Sequence, residues 1–342
     1  PAVGVYRPAG FGGREVSRVE ELLTGLEKLW SGFLGVAVFG LLIALLFFIG
    51  SRLRGRLSRP AAIVIFLGPA VILLIMGLIV PAFRTIWAST QNSSGKEFVG
   101  WANYQWIFDS QVDIIVNSIL WIVITPIAAT ALGLTLALLL DRMRREAIAK
   151  SLIFMPMAIS FVGASIIWSL VYEYRAPDKP QVGLLSQIVM WLGVDDPPKW
   201  LLWQPFNNYL LMVIMVWIQV GFAMVVLSAA IKAIPGDVVE AAELDGATGW
   251  RLFSKVTIPM IRATLIVVVT TIMFAVLKIF DIVRVMTNGN YVTQIVANEM
   301  YAQAFVQFDI GRGSALAVVL FVAVIPLIIF NVVQLRKDRA TR

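Results

Sequence analysis

Seven runs of mostly apolar residues, each long enough to cross a lipid bilayer, limit what this chain can become: residues 30–50, 61–83, 114–140, 151–172, 208–230, 259–282 and 313–335. A helix needs about 20 such residues to span a hydrocarbon core of roughly 30 Å. Inside lipid, every backbone N–H and C=O must find its partner within a helix or a closed barrel. The side chains show no period of two, which argues against barrel strands. The spacing therefore predicts an all-α membrane protein with seven transmembrane helices. Composition agrees: 59% of the 342 residues are hydrophobic and 14% charged, against about a quarter charged in soluble domains.

Orientation follows from basic residues beside the spans, which stay on the cytoplasmic side. Arg52, Arg54, Arg56 and Arg59 follow the first run, Arg142, Arg144, Arg145 and Lys150 the third, and Arg336, Lys337, Arg339 and Arg342 the last. If the spans alternate, these places and loop 231–258 share the cytoplasmic side, with the carboxyl terminus cytoplasmic and the amino terminus external. The opposite loops, 84–113, 173–207 and 283–312, carry Trp87, Trp101, Trp106, Trp191, Trp200 and Trp203, rings that favour the membrane interface. Glu15, Glu20, Glu21 and Glu27 precede the first run, unlike the basic head of a signal peptide. The chain thus divides into residues 1–60, an external segment with an extra transmembrane helix and a basic loop, and 61–342, a six-helix core.

The net charge of +7 lies beside apolar runs, so it implies membrane lipid as a partner and no nucleic acid. There is no cysteine and no histidine. That removes thiol nucleophiles, Cys/His metal sites and Ser-His-Asp chemistry together. No G-x-x-x-x-G-K-[ST] phosphate loop is present, so the chain should not hydrolyse ATP itself. We expect no catalytic residue, no metal ligand and no cofactor bound by this chain.

Loop 231–258 reads as two short helices. Asp237 is placed to cap the first, with Glu240 three residues on completing a capping box. Ala241 and Ala242 are small enough for another surface to approach closely, and Gly246 after Asp245 supplies a left-handed stop. Thr248 is placed to cap a second helix through Trp250, Phe253 and Val256, and Pro259 to open the next span. Such an elbow can fill a groove in a partner and pass its movement to both attached spans. The alternative is an amphipathic loop lying on the lipid surface.

Polar and aromatic groups within or beside the fifth and sixth spans include Trp217, Gln219, Phe222, Lys278 and Asp281. An ionisable group in a span faces the bundle or water. Lys278 and Asp281 are three residues apart, so one continuous helix would put them on one face as a pair; the other reading is a snorkelling lysine and a helix-end acid. Pro69, Pro126, Pro156 and Pro326 fall mid-span, where each removes a backbone donor.

Glu240-Ala241-Ala242-x3-Gly246-x9-Val256-x-Ile258-Pro259 resembles the coupling loop of permease subunits in binding-protein-dependent bacterial ABC importers. From residue 61 onward the chain is similar to the carbohydrate branch, the maltose and alpha-glucoside type. Phe280-Asp281-Ile282-Val283-Arg284-Val285-Met286-Thr287-Asn288-Gly289 is close to its run F-D-x-[IV]-x-x-[LM]-T-x-G, although Asn290-Tyr291 replaces the usual G-P. The resemblance implies a non-enzymatic permease subunit in a bacterial inner membrane, carrying a sugar such as maltose, trehalose or a maltodextrin. It implies two copies of an ABC ATPase subunit binding ATP and Mg, a second permease subunit and an extracytoplasmic sugar-binding protein. It places sugar beside Met215 to Phe222 and Ile272 to Ile279, with Val276 and Ile279 where the maltose type has asparagines, and so makes Trp217, Gln219, Phe222, Lys278 and Asp281 the candidates for a solute path. A stand-alone secondary transporter, or a scaffold that only recruits an ATPase, remain the rival classes.

Overall fold

A computed structural model describes residues 58–340 except 142 and 177, together with scattered positions between 30 and 48. The expected external segment 1–29, much of the first run and Arg52, Arg54, Arg56, Arg142 and Arg342 lie outside the described residues. Among the described residues there is no strand, only an isolated bridge between Gln91 and Phe98.

Five helices are long and apolar enough to cross a membrane. These are α1 (Phe66–Ala88), α2 (Val112–Leu140), α5 (Phe206–Lys232), α7 (Trp250–Leu277) and α9, whose apolar part is Ile310–Phe330 within a helix Ile310–Ala340. The expected span 151–172 is broken. Helix α3 (Glu146–Phe154) continues as a 3-10 turn to Ala158, and α4 (Phe161–Val171) departs at 104°. Pro156 offers no donor at that point, Ile159 is extended, and Ser160 caps α4 by accepting from Gly163 N at 3.1 Å. The described spans are thus five unbroken and one bent. Pro69, Pro126 and Pro326 lie inside uninterrupted helices.

By contact the chain divides into Pro1–Ala82 and Phe83–Arg342, a different line from the 60/61 boundary read from the sequence. In the second unit α5 is central. Of its most apolar window 56% is buried, against 33% for α2 and α7 and 17% for α9. Leu211, Ile214, Met215, Met224 and Leu227 of α5 meet Trp121 and Ala129 of α2 and Val268 and Ile272 of α7 in one core.

Lipid is as apolar as leucine, so helices associate in it by close van der Waals fit, and small residues set that fit. A Cβ on Gly133 would lie 2.5 Å from the Ala223 Cβ and 2.8 Å from Met224 N. One on Gly221 would lie 2.5 Å from the Ile153 carbonyl oxygen and 2.6 Å from the Phe154 Cα. Two glycines therefore fix how near α2 and α3 come to α5.

Gly221→Ala pushes a methyl group into backbone, which cannot yield as a side-chain tip does. It should cost roughly 1–3 kcal/mol, read as a lower thermal midpoint of the detergent-purified protein. Gly68→Ala, with nothing within 4 Å of the added carbon, should leave that midpoint unchanged or slightly raised.

Candidate functional site

The elbow forms, with changes at both starts. Its first helix, α6, runs Gly236–Leu244 with Pro235 at the cap position and no side-chain capping bond. Asp237 is therefore a first-turn acid and the expected capping box with Glu240 is absent. Pro235 already holds the extended conformation a cap needs (φ −59°, ψ 135°), so the helix starts before Asp237 can cap it; the acid still favours the positive helix end. The stop forms as expected. Gly246 has φ +79°, donates to the Glu243 carbonyl at 3.0 Å, and Ala247 N donates to the Ala242 carbonyl at 2.9 Å, the paired bonds of a Schellman ending.

Gly249 (φ +52°), not Thr248, precedes the second helix. That helix is the start of α7, continuous from Trp250 to Leu277. Pro259 thus lies inside α7 instead of opening it. A proline clashes with the carbonyl four residues back, and the helix accommodates it through a wider π turn, Phe253–Thr257, in which Ile258 N bonds Phe253 O. Glu240, Ala241, Asp245 and Gly246 are exposed and Ala242 half-buried. Leu244 is 89% and Trp250 76% exposed, which gives the elbow an apolar tip.

A cleft of about 400 Å³ opens at the break between α3 and α4. It is lined by Met157, Ile159, Ser160, Phe161 and Val162 from the break, by Ile218 and Gln219 of α5, and by Asp281. Gln219 is 7% exposed, and its amide makes no hydrogen bond to the protein among the described residues. A buried amide left unpaired costs free energy unless water or a ligand completes it. Asp281 arrives because α7 ends at Leu277 and a new helix, α8 (Asp281–Met286), begins. In the break between them Ile279 is buried, 2% exposed, and the Phe280 ring meets Tyr301 at a tilt, 4.9 Å between centroids.

That break corrects the expected Lys278–Asp281 pair: the two residues do not share a helical face, and no ion pair joins them among the described residues. Lys278 instead lines an apolar cavity of about 440 Å³ with Phe280, Met300 and Phe321. Trp217 points away from the cleft and meets Trp168 edge-on at 5.8 Å. Phe222 packs against the core. Of the five expected path residues, the cleft brings together Gln219 and Asp281. Val276 and Ile279, 1% and 2% exposed, are core.

Toward the other end of α5 a network of amides ties in the turn after α8. Asn117 donates to the carbonyls of Val292 at 2.8 Å and Gln294 at 3.0 Å, and accepts from Asn208 at 2.9 Å. Asn208 in turn accepts from the Trp121 indole at 2.8 Å, and Asn207 donates to the Tyr291 carbonyl at 2.8 Å. Tyr291 and Val292 both have positive φ, 58° and 62°, a costly conformation for a β-branched residue. Asn117 is therefore an interhelical hydrogen-bonding residue with both amide hydrogens used, not a free ligand group.

A second network, missed by the sequence reading, sits where α5 meets the elbow. Lys150 Nζ reaches Asp141 Oδ1 at 2.6 Å and Glu146 Oε1 at 2.5 Å, and also Ser228 Oγ. Ser228 donates to Asp141 Oδ1 at 2.6 Å, and Lys232 reaches Glu146 Oε1 at 2.5 Å. Glu146, the first residue of α3, thus takes hydrogen bonds from both Lys150 and Lys232. The Glu146–Lys150 spacing was the one signal in the sequence, an i,i+4 pair.

Comparison with known proteins adds three findings. Residues 129–342 match the family described as binding-protein-dependent transport system inner membrane component. The alpha-glucoside transport system permease protein AglF of Rhizobium meliloti is 46% identical, covering 78% of this chain and 80% of that protein. The osmoprotective compounds uptake permease protein GgtC of Synechocystis is 45% identical, covering 81% and 100%, and the trehalose/maltose transport system permease protein MalF of Thermococcus litoralis 28% identical, covering 85% and 98%. In fold, the chain is similar to one from a bacterial alginate ABC transporter solved with its pentasaccharide-bound periplasmic protein, at TM-score 0.68 and 19% identity, covering 80% of this chain and 94% of that one.

Asn117→Leu strips the part-buried carbonyl contacts of Val292 and Gln294 and the buried Asn208 amide of their partner. At about 1–3 kcal/mol per buried group left unpaired, it should lower the thermal midpoint more than Trp121→Phe, which removes a single donor.

Proposed function

Since the chain belongs to the inner membrane components of binding-protein-dependent transport systems, we propose that it is a permease subunit of an ATP-driven ABC importer for a sugar or oligosaccharide. An alpha-glucoside such as maltose, trehalose or a maltodextrin is the substrate class, in keeping with the names of the alpha-glucoside relative at 46% identity and of the trehalose/maltose protein. The observation that carries the reading is a single helix, α5, with Gln219 unpaired at a membrane cleft and an exposed elbow springing from its end.

In this reading the elbow is cytoplasmic and docks on the ATPase. Leu244 and Trp250 fill a groove in that subunit, and Ala241 and Ala242 let it approach the α6 backbone. Two ATPase copies bind ATP and Mg, a second permease completes the pore, and an extracytoplasmic binding protein delivers the sugar. The chain performs no chemistry of its own. ATP-driven movement of the elbow turns the attached ends of α5 and α7 together, because the Schellman stop at Gly246 keeps α6 from unwinding. Gln219 offers two donors and an acceptor to sugar hydroxyls, and the Asp281 carboxylate accepts from others. Met157, Ile159 and Phe161 cover the less polar faces of the ring.

Purification of the chain from its native membrane should bring down an ABC ATPase, a sibling permease and a binding protein. In liposomes the complex should take up maltose or trehalose with ATP hydrolysis. Gln219→Leu should cut uptake about tenfold or more, the worth of one or two lost hydrogen bonds, while changing stability by less than about 1 kcal/mol, because no protein partner is orphaned. Uptake that needs no ATP would mark a secondary transporter. Hydrolysis with no solute movement would mark a scaffold.

A further inference from the structure

In the sequence Lys150 is one of several basic residues that orient the chain, yet the structure makes it a hub. Its side chain is 15% exposed, and that of Asp141 16%. Around it meet three helix ends: Asp141 just after α2, Glu146 at the head of α3, and Ser228 with Lys232 in the last turn of α5. Four residues past Lys232 the elbow helix α6 begins, and α6 has no buried residue of its own. Where α6 points is therefore set by where α5 ends. In the other direction α3 leads from Lys150 to Met157, Ile159 and Ser160 on the lip of the cleft.

We propose that Lys150 is a positioning residue of the coupling apparatus, clamping the end of α5 to Asp141 and Glu146 so that movement of the elbow reaches the lip of the cleft through α3. The physical case is the geometry of the charges. Two ammonium groups and two carboxylates alternate, and the Ser228 hydroxyl bridges Lys150 to Asp141 across α5 and α2. Asp141 Oδ2 is buried without a partner, so the Asp141 carboxylate relies on Oδ1, where Lys150 and Ser228 converge. Without Lys150, Asp141 keeps the Ser228 hydroxyl and a longer, 3.9 Å contact to Lys232, both from α5 and neither from α3. The end of α5 is then held to α3 at this end by the pair of Glu146 with the half-exposed Lys232 alone, a looser tie through which less of the elbow's motion reaches the cleft. Coupling needs such a contiguous mechanical link, not proximity alone.

The functional half of this inference rests on the proposed ATP-driven role; the positioning half does not. The chain has no cysteine, so Ala147→Cys and Thr248→Cys, both at exposed positions, take spin labels on α3 and the elbow of the purified chain with no competing thiol, before it is assembled with its partners. Three backgrounds are compared with the native one: Lys150→Met, Lys150→Arg, and Lys150→Met with Asp141→Leu. The last removes both charges, so it leaves no buried carboxylate stranded and separates positioning from stability.

Lys150→Arg should keep the native distance distribution. Lys150→Met and the doubly neutral variant should broaden it, and ATP hydrolysed per maltose taken up should rise about fivefold or more, the lower range of coupling free energies. A doubly neutral variant of native thermal midpoint with an unbroadened distribution, or with an unchanged ratio, overturns the proposal and leaves the network a structural staple. If the native complex moves neither maltose nor trehalose, the proposed substrate falls, and the label distances alone still decide the role of Lys150.

Discussion

Close approach of neighbouring helices to α5 is the constraint on which the rest of this structure depends. In lipid there is no gain from hiding apolar surface, so the fit must come from backbones near enough to touch. Gly221 allows the end of α3 against α5, and Gly133 allows α2 against Ala223 and Met224. Once these helices lie that close, the rest of the polar architecture follows. Asn117 can reach Asn208, Lys150 can reach Ser228, and Gln219 is left at the one side where α3 turns away. A bulkier residue at either glycine would move every one of these contacts, since they share α5 as their common rail.

How much of this could be read from the sequence depends on whether local chemistry or tertiary contact decided the outcome. Five of the spans, the all-α class and the elbow were legible because apolar length and a glycine stop act locally. Gly246 adopts the left-handed conformation that its position after Asp245 indicates. The starts of the elbow helices were less legible, because Pro235 and Gly249 took the cap positions from Asp237 and Thr248 by backbone conformation alone. The bend at Ser160 had local signals, Pro156 and a capping serine, but a long apolar run masks such a break. The Lys278–Asp281 pair failed where the helix is interrupted and Phe280 meets Tyr301, over twenty residues away. No periodicity within 259–282 reports that contact.

The cleft was half legible. Gln219 is polar in an otherwise apolar helix, and cost alone marks it as a group with something to do. Asp281 came from a motif, and the break after Leu277 gave it a place beside α4 that a straight helix would have denied. Trp217 and Phe222, chosen as aromatic neighbours of Gln219, pack elsewhere. On a helix the step from Gln219 to Trp217 is about 200°, so the two cannot share a narrow opening. Ser160 went unnamed because its sequence surroundings read as membrane interior.

The two ends of α5 differ in a way that suits an element meant to move at one end. Toward the turn after α8, the amides of Asn117, Asn207 and Asn208 bond largely to backbone carbonyls held in a strained turn, and each bond fixes a direction as well as a distance. Such bonds are short-ranged and lose most of their strength when misaligned. Toward the elbow, Lys150 and Lys232 meet the carboxylates of Asp141 and Glu146 as ammonium–carboxylate pairs, with the Ser228 hydroxyl donating to Asp141 beside them. Charge attraction falls slowly with distance and hardly depends on angle, so those contacts survive a tilt that would break an amide network. A helix pinned by directional bonds at one end and tethered by charges at the other pivots about the first and swings at the second. The elbow is attached at the end that swings, and the cleft lies between, where a small rotation changes which way Gln219 faces.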